Sequence, residues 1–226
     1  MISKNNSQEK PNFNEQFNFE ENWYLENLDF VDWCRYFYII REVIDLKPRS
    51  ILDIGSGNGI IKNCLKPIVD EYKVMDINAK LKPDYLNDIR NLKPELKEKF
   101  DCLIAADILE HIPFKDFKTA LANLFIYLKN NGKALITIPH RADYFLWMTP
   151  TNIPHVFRMP TKFLSPATIY RYFKRKTWID FYHLWEIGDG KVKRNEVEKM
   201  MRSTGFIIKK SETLPYVDFY VLKRKN

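Results

Sequence analysis

The chain has 226 residues, 45% hydrophobic and 15% aromatic, enough for one α/β domain with a sizeable core and too few for two full domains. No apolar run approaches the roughly 20 residues of a bilayer crossing, and Met1 to Lys10 hold no hydrophobic signal core, so a cytoplasmic protein is expected. The net charge of +7 is uneven: residues 141–226 carry 17 Lys and Arg against 8 Asp and Glu, whereas residues 1–140 carry 19 against 21. Such an excess points to an anionic partner (a phosphorylated metabolite, a nucleic acid or a lipid headgroup) or to a solvated basic face. Cys34, Cys64 and Cys102 are scattered without metal or disulfide spacing and read as free, buried thiols.

Residues 1–20 are rich in Asn, Glu, Gln and Lys and read as a flexible terminus. From Glu21 to Asp45 aromatics are dense, and Phe30, Trp33, Phe37, Ile40 and Ile44 recur near helical spacing. This predicts an amphipathic N-terminal helix packed on the core. Trp23 and Tyr24 either join that packing or contribute to a pocket lid. Lys47-Pro48 ends the helix, since proline disfavours helical backbone in the residue before it. Ser50 to Ile54 is a short strand that runs into Gly55-Ser56-Gly57-Asn58-Gly59, with a helix from about Gly59 to Leu65. Glycines at alternate positions permit positive φ and close approach of a ligand to the backbone. The amides that follow can face a negative group.

Tyr72 to Asp76 reads as a second strand ending in a carboxylate, and a short apolar segment around Tyr85 and Leu86 leads into Asn87-Asp88-Ile89. Phe100 to Ala106 is a buried strand followed by Asp107-Ile-Leu-Glu-His-Ile-Pro113. A helix over Lys115 to Leu128 is expected to stop at a left-handed cap in Asn130-Asn-Gly132, before a strand from Lys133 to Ile138 that ends at Pro139-His140. Residues 141–190 break this alternation with prolines and many aromatics. They read as an inserted cap on the substrate side, with a short helix from Ser165 to Lys174. Asn195 is the expected N-cap of a helix through Ser203, Gly205 its terminator, and Phe206 to Ile208 with Val217 to Leu222 a closing antiparallel pair.

Repeated strand–helix–strand units predict an α/β fold: a Rossmann-like, seven-stranded, mostly parallel sheet with helices on both faces and a terminal antiparallel strand pair. It would form one domain over residues 21–226. Gly55 to Gly59, Asp76, Asp88, Asp107 and His140 all fall at strand ends, where such sheets bind ligands.

The glycine spacing is G-x-G-x-G, whereas dinucleotide turns read G-x-G-x-x-G. Asp53-Ile-Gly-Ser-Gly-Asn-Gly59 resembles motif I of class I S-adenosylmethionine (SAM) dependent methyltransferases. Leu109-Glu-His-Ile112 resembles the matching segment of the ubiquinone/menaquinone-type methyltransferase superfamily. The likeness covers residues 48–140 in its motifs and 195–226 in outline. It implies SAM as cofactor, held by Asp53, Gly55, Ser56, Gly57 and Gly59, with Asp76 and Ile77 at the ribose, Asp88 and Ile89 at the adenine, and Asp107 beside the methionine end.

Methyl transfer from a sulfonium to oxygen or nitrogen requires in-line alignment and exclusion of water. A hydroxyl or ammonium acceptor must also lose a proton, for which His111 and then His183 are the candidate bases. An aromatic, basic cap fits a small-molecule, lipid or glycan acceptor, including an anionic one. Two alternatives stand beside this. Asp107-x-x-Glu110-His111 resembles the metal-binding segment of small-RNA 2′-O-methyltransferases, and with His140 it would make a four-ligand cluster suited to Mg, Mn or Zn and to an RNA end. The domain would otherwise bind SAM without catalysis, as a regulator or scaffold.

Overall fold

Every residue of Ser50–Ile54 (β1) is buried, as in a strand covered on both faces. In the computed structural model, which describes residues 18–26, 28–140, 144–148, 154–158 and 182–225, β1 pairs in parallel with Glu71–Asp76 (β2) and Phe100–Ala106 (β4). Tyr85–Leu86 (β3), Leu128–Pro139 (β5), Phe206–Thr213 (β8) and Val217–Arg224 (β9) complete a seven-stranded sheet ordered β3-β2-β1-β4-β5-β9-β8. All pairings are parallel except those of β9, which runs antiparallel to both neighbours. This is the Rossmann-like sheet expected. Strand order reverses between β1 and β4, so their carboxyl ends flank the crevice where such sheets take a ligand.

Side chains of consecutive strand residues leave opposite faces. Ile51, Val74 and Ile104 pack with Tyr36, Ile39 and Val43 of the helix Phe30–Leu46 (α2) and with Ile61 and Leu65 of Ile60–Leu65 (α3). Leu52, Met75 and Leu103 pack with Leu121 and Leu124 of Phe117–Tyr127 (α4) and with Val197 and Met201 of Arg194–Ser203 (α5). A short helix, Glu21–Glu26 (α1), precedes α2.

Several local expectations are corrected. Asp29 caps α2 by accepting from the amides of Val31 and Asp32, and a left-handed Lys47 ends it. The buried stripe, however, is Tyr36, Ile39 and Val43, while Phe30, Trp33, Phe37 and Ile44 are exposed. The helix carries two apolar stripes, and Asn58 selects one by donating to the Tyr36 hydroxyl at 2.7 Å. Helix α4 ends at Tyr127, and left-handed Asn131 lies within an irregular start of β5. Helix α5 begins at Arg194, one residue before Asn195, where Glu196 reaches back to the Lys193 amide at 2.9 Å. Gly205 does terminate it, with φ +104. Of the cysteines only Cys102 is buried, and Cys64 is exposed.

Within the inserted region Tyr144–Met148 (β6) and Pro154–Arg158 (β7) pair antiparallel in a separate two-stranded sheet. The expected helix from Ser165 to Lys174 lies outside the described residues. No helix among the described residues is long and apolar enough to cross a membrane.

Candidate active site

The glycine turn is built by β1 ending against β2. The Gly55 amide donates to the Met75 carbonyl at 2.9 Å and the Gly59 amide to Ser56 at 2.9 Å. At Gly55, φ is +76 and a Cβ would stand 2.2 Å from Ile108 Cγ2, so the segment after β4 lies directly against the turn. Gly57, also at positive φ, has the Tyr24 ring 3.8 Å from where a Cβ would be. Helix α1 therefore lies against the glycine turn. Trp23 stacks on Phe19 with centroids 3.9 Å apart, and Tyr182 meets both rings edge-on. The Phe19 carbonyl also accepts from Asn78 at 2.9 Å. Residue 19, expected in the flexible terminus, is thus packed.

Asp53 is buried beneath the turn and accepts from the Tyr72 hydroxyl at 2.7 Å. Burial pushes its carboxyl up to about 7, against the opposing pull of that hydrogen bond. Asp76, at the end of β2, is also raised by burial, while the amides of Asn78, Ile77 and Ser56 pull it down. Its link to Ser56 places it beside the glycine turn, and Ile77 next to it is exposed. Asp88 follows β3. Burial raises it, but the side chain and amide of Arg90 hold it below the usual carboxylate range. Arg90 Nε lies 3.0 and 2.9 Å from its two oxygens. Ile89 is buried, in the same apolar cluster as Met75 and Leu96.

Asp107 sits at the end of β4 with φ +50, a costly conformation for a residue with a Cβ. Thr137 fixes it, accepting from its amide at 3.0 Å and donating to Oδ1 at 2.5 Å. Arg35 of α2 ion-pairs with the other oxygen. Asp107 is therefore committed to Arg35 and Thr137. His140 is buried and contacts the Leu214 carbonyl through Nε2 at 3.0 Å. The four-ligand cluster of Asp107, Glu110, His111 and His140 is not the one the fold assembles.

The group assembled instead is Glu110, His111 and His183, whose ligand atoms all lie within 4.8 Å of one another. Distant in sequence, His183 is brought in by a segment stitched across the carboxyl ends of β4 and β5. Leu184 N donates to the Glu110 carbonyl at 2.9 Å, Ile187 N to Pro139 at 2.9 Å, and Trp185 Nε1 to Ile112 at 2.9 Å. His111 and His183 lie ring to ring, centroids 5.0 Å apart. Nδ1 of His111 meets the Tyr182 carbonyl at 3.1 Å, and Nδ1 of His183 meets Glu186 Oε1 at 2.7 Å. Glu110 has no exposed surface, and burial pushes its carboxyl up to about 7 against the pull of His183. Sequence reasoning missed Arg35 and Glu186. Arg35 was legible as a charge amid the aromatics of α2, and Glu186 as the partner in His183-x-x-Glu186.

The residues fit SAM: three positive-φ glycines bare the backbone, and the Asp76 carboxylate adjoins them at the strand switch. Fold, glycine turn and strand-end carboxylates together define a class I SAM-dependent methyltransferase. A family model described as a methyltransferase domain matches residues 29–206, and the chain belongs to that family. No curated protein sequence matches the chain. Among solved structures it is similar to the N-methyltransferase NodS of Bradyrhizobium japonicum, in complex with S-adenosylhomocysteine, at 12% identity and TM-score 0.54, covering 95% of this chain and 97% of that one. A SAM-dependent methyltransferase of Clostridium acetobutylicum aligns at 15% identity and TM-score 0.55, over 89% and 94%. The 1,6-didemethyltoxoflavin-N1-methyltransferase of Burkholderia thailandensis aligns at 12% and 0.54, over 84% and 77%.

Proposed function

We propose that the chain methylates an oxygen or nitrogen of a small-molecule, lipid or glycan acceptor, which enters at the carboxyl ends of the strands. The observation that carries this reading is the carboxylate–imidazole cluster of buried Glu110 and Glu186 with half-buried His111 and His183, on segments that adjoin the glycine turn through Ile108. Bound SAM supplies an electrophilic methyl group on a sulfonium. Asp76 and the glycine backbone hold the cofactor, with Asp53 beneath the turn and Asp88 beyond it. Asp107, clamped by Arg35 and Thr137, shapes the methionine end.

His111, and after it His183, is the candidate base for the acceptor's proton where no cation occupies the cluster. Contacts of Nδ1 with Tyr182 and Glu186 favour the tautomer protonated at Nδ1, which leaves Nε2 as the basic nitrogen. The walls of Phe19, Trp23, Tyr24 and Tyr182 limit water. Two of the relatives named above are N-methyltransferases, one of them acting on a heteroaromatic small molecule, which favours a small acceptor over an RNA end.

The test is calorimetric titration with SAM, followed by transfer of labelled methyl from SAM into fractionated cell extract. Binding, weakened by about 1–3 kcal/mol in Asp76→Ala, with label in a low-molecular-mass or lipid fraction, is the expected result. Binding without label in any fraction would leave a SAM-binding regulator.

A further inference from the structure

The convergence at Glu110 is chemically unusual. Its side chain is wholly inaccessible, and neither carboxylate oxygen accepts a well-formed hydrogen bond. Buried carboxylates in folded proteins are normally satisfied, because desolvating one without a partner is costly. Instead, Oε1 is faced by His111 Nε2 at 3.9 Å and His183 Nε2 at 3.7 Å, both beyond hydrogen-bonding reach. On the far side of each ring, Nδ1 meets an acceptor: a backbone carbonyl for His111 and the Glu186 carboxylate for His183. Acceptors on Nδ1 hold the proton there and turn the Nε2 lone pair toward Glu110. Two imidazole lone pairs and a carboxylate then converge, a set that needs positive charge at its centre.

We propose that Glu110, His111 and His183 form a binding site for a divalent transition-metal cation of the Zn or Mn type, with an open position for an acceptor hydroxyl. Two imidazoles and one carboxylate are a donor set of catalytic zinc and of other first-row metals that keep substrate positions open. With bonds of about 2.0–2.2 Å, tetrahedral donor atoms stand ~3.3–3.6 Å apart, so the Glu110–histidine separations of 3.7 and 3.9 Å close by a few tenths of an ångström, and the three donor atoms, spread over up to 4.8 Å, draw together by about an ångström at the widest pair. The outer contacts to Glu186 and Tyr182 are the kind that orient metal-bound histidines.

The inference rests on the methyl-transfer reading and narrows it to oxygen acceptors. In the loaded enzyme both histidines are ligands, and the cation replaces them as the agent that makes the hydroxyl acidic. The acceptor O–H bond breaks with loss of its proton to water. Its oxygen then forms the C–O bond as the methyl–sulfur bond breaks, leaving neutral S-adenosylhomocysteine and no change in oxidation state.

The experiment uses the full chain, stripped with a chelator and titrated with Zn and Mn by calorimetry. Co(II) absorption in the visible region gives a second readout. One equivalent of cation is expected, with affinity falling ~100-fold or more in His183→Ala and Glu110→Gln and ~10–100-fold in Glu186→Gln. SAM affinity should stay within about threefold, a criterion that verifies folding. A wild-type protein that takes up no cation, or variants that bind it as tightly, overturns the proposal. If labelled methyl transfer continues at full rate in the stripped enzyme, the cation's part in the reaction fails and the methyltransferase reading stands. If the cation binds at these residues and no acceptor is methylated, the site stands and the activity reading fails.

Discussion

Gly55→Ala probes the contact that joins the cofactor turn to the strand-end segment. Two costs arise. An alanine at φ +76 is strained by about 1–2 kcal/mol. Its Cβ would also lie 2.2 Å from Ile108 Cγ2, an overlap that forces the turn or Ile108 to move, at roughly 1–3 kcal/mol. Ile108→Ala alone removes packing from the edge of the core and costs about 2 kcal/mol. In the double variant Cγ2 is gone, and the nearest remaining atom of residue 108 is Cβ at 3.4 Å, close to an ordinary contact. The overlap is thereby relieved while the backbone strain persists. A double-mutant cycle in urea, paired with SAM titration, should give a favourable coupling of about 1–3 kcal/mol, with SAM binding partly restored in the double variant. Additivity within ~0.5 kcal/mol would refute the contact and, with it, the placement of the segment after β4 against the turn.

Two further outcomes follow from buried charge. Asp53 has its folded-state value raised to about 7, above its unfolded value near 4, so the folded protein binds this proton more tightly. Its contribution is present below about pH 4 and lost as pH rises toward 7, amounting to roughly 3–5 kcal/mol. Urea titrations from pH 4 to 8 should show that loss in wild type relative to Asp53→Asn, and parallel pH profiles would contradict it. Arg35→Met leaves the largely buried Asp107 without its cation and should cost about 3–5 kcal/mol. Adding Asp107→Asn should recover much of this in the denaturation midpoint; a double variant no more stable than Arg35→Met would argue against charge as the cause.

How much was legible depended on whether the signal was local. Strand β1, the three glycines, Asp76 and the segment Asp107 to His111 could be read directly, because a turn that needs positive φ restricts residue type and a doubly covered strand is largely apolar. Parallel pairing followed from the alternation of elements. Periodicity could not choose between two apolar stripes on α2, since both satisfy the helical repeat and only tertiary packing on Ile51, Ile61 and Leu65, with the Asn58 bond to Tyr36, separates them. The four-ligand grouping of Asp107, Glu110, His111 and His140 is not assembled, for the same kind of reason. Spacing kept Asp107 with Glu110 and His111, but a left-handed backbone at Asp107 turns it to Thr137 and Arg35, and His140 is drawn to Leu214.

From sequence alone came the class of fold and the cofactor it holds, because these reside in a contiguous turn and in carboxylates at strand ends. Tertiary structure alone decided the chemistry of the opposite wall. His183 reaches Glu110 through backbone bonds from Leu184 and Ile187 across the carboxyl ends of β4 and β5, and α1 reaches the glycine turn by folding back over it. Contacts between residues so far apart depend on how the chain returns to the sheet, and no local pattern of side chains encodes that return.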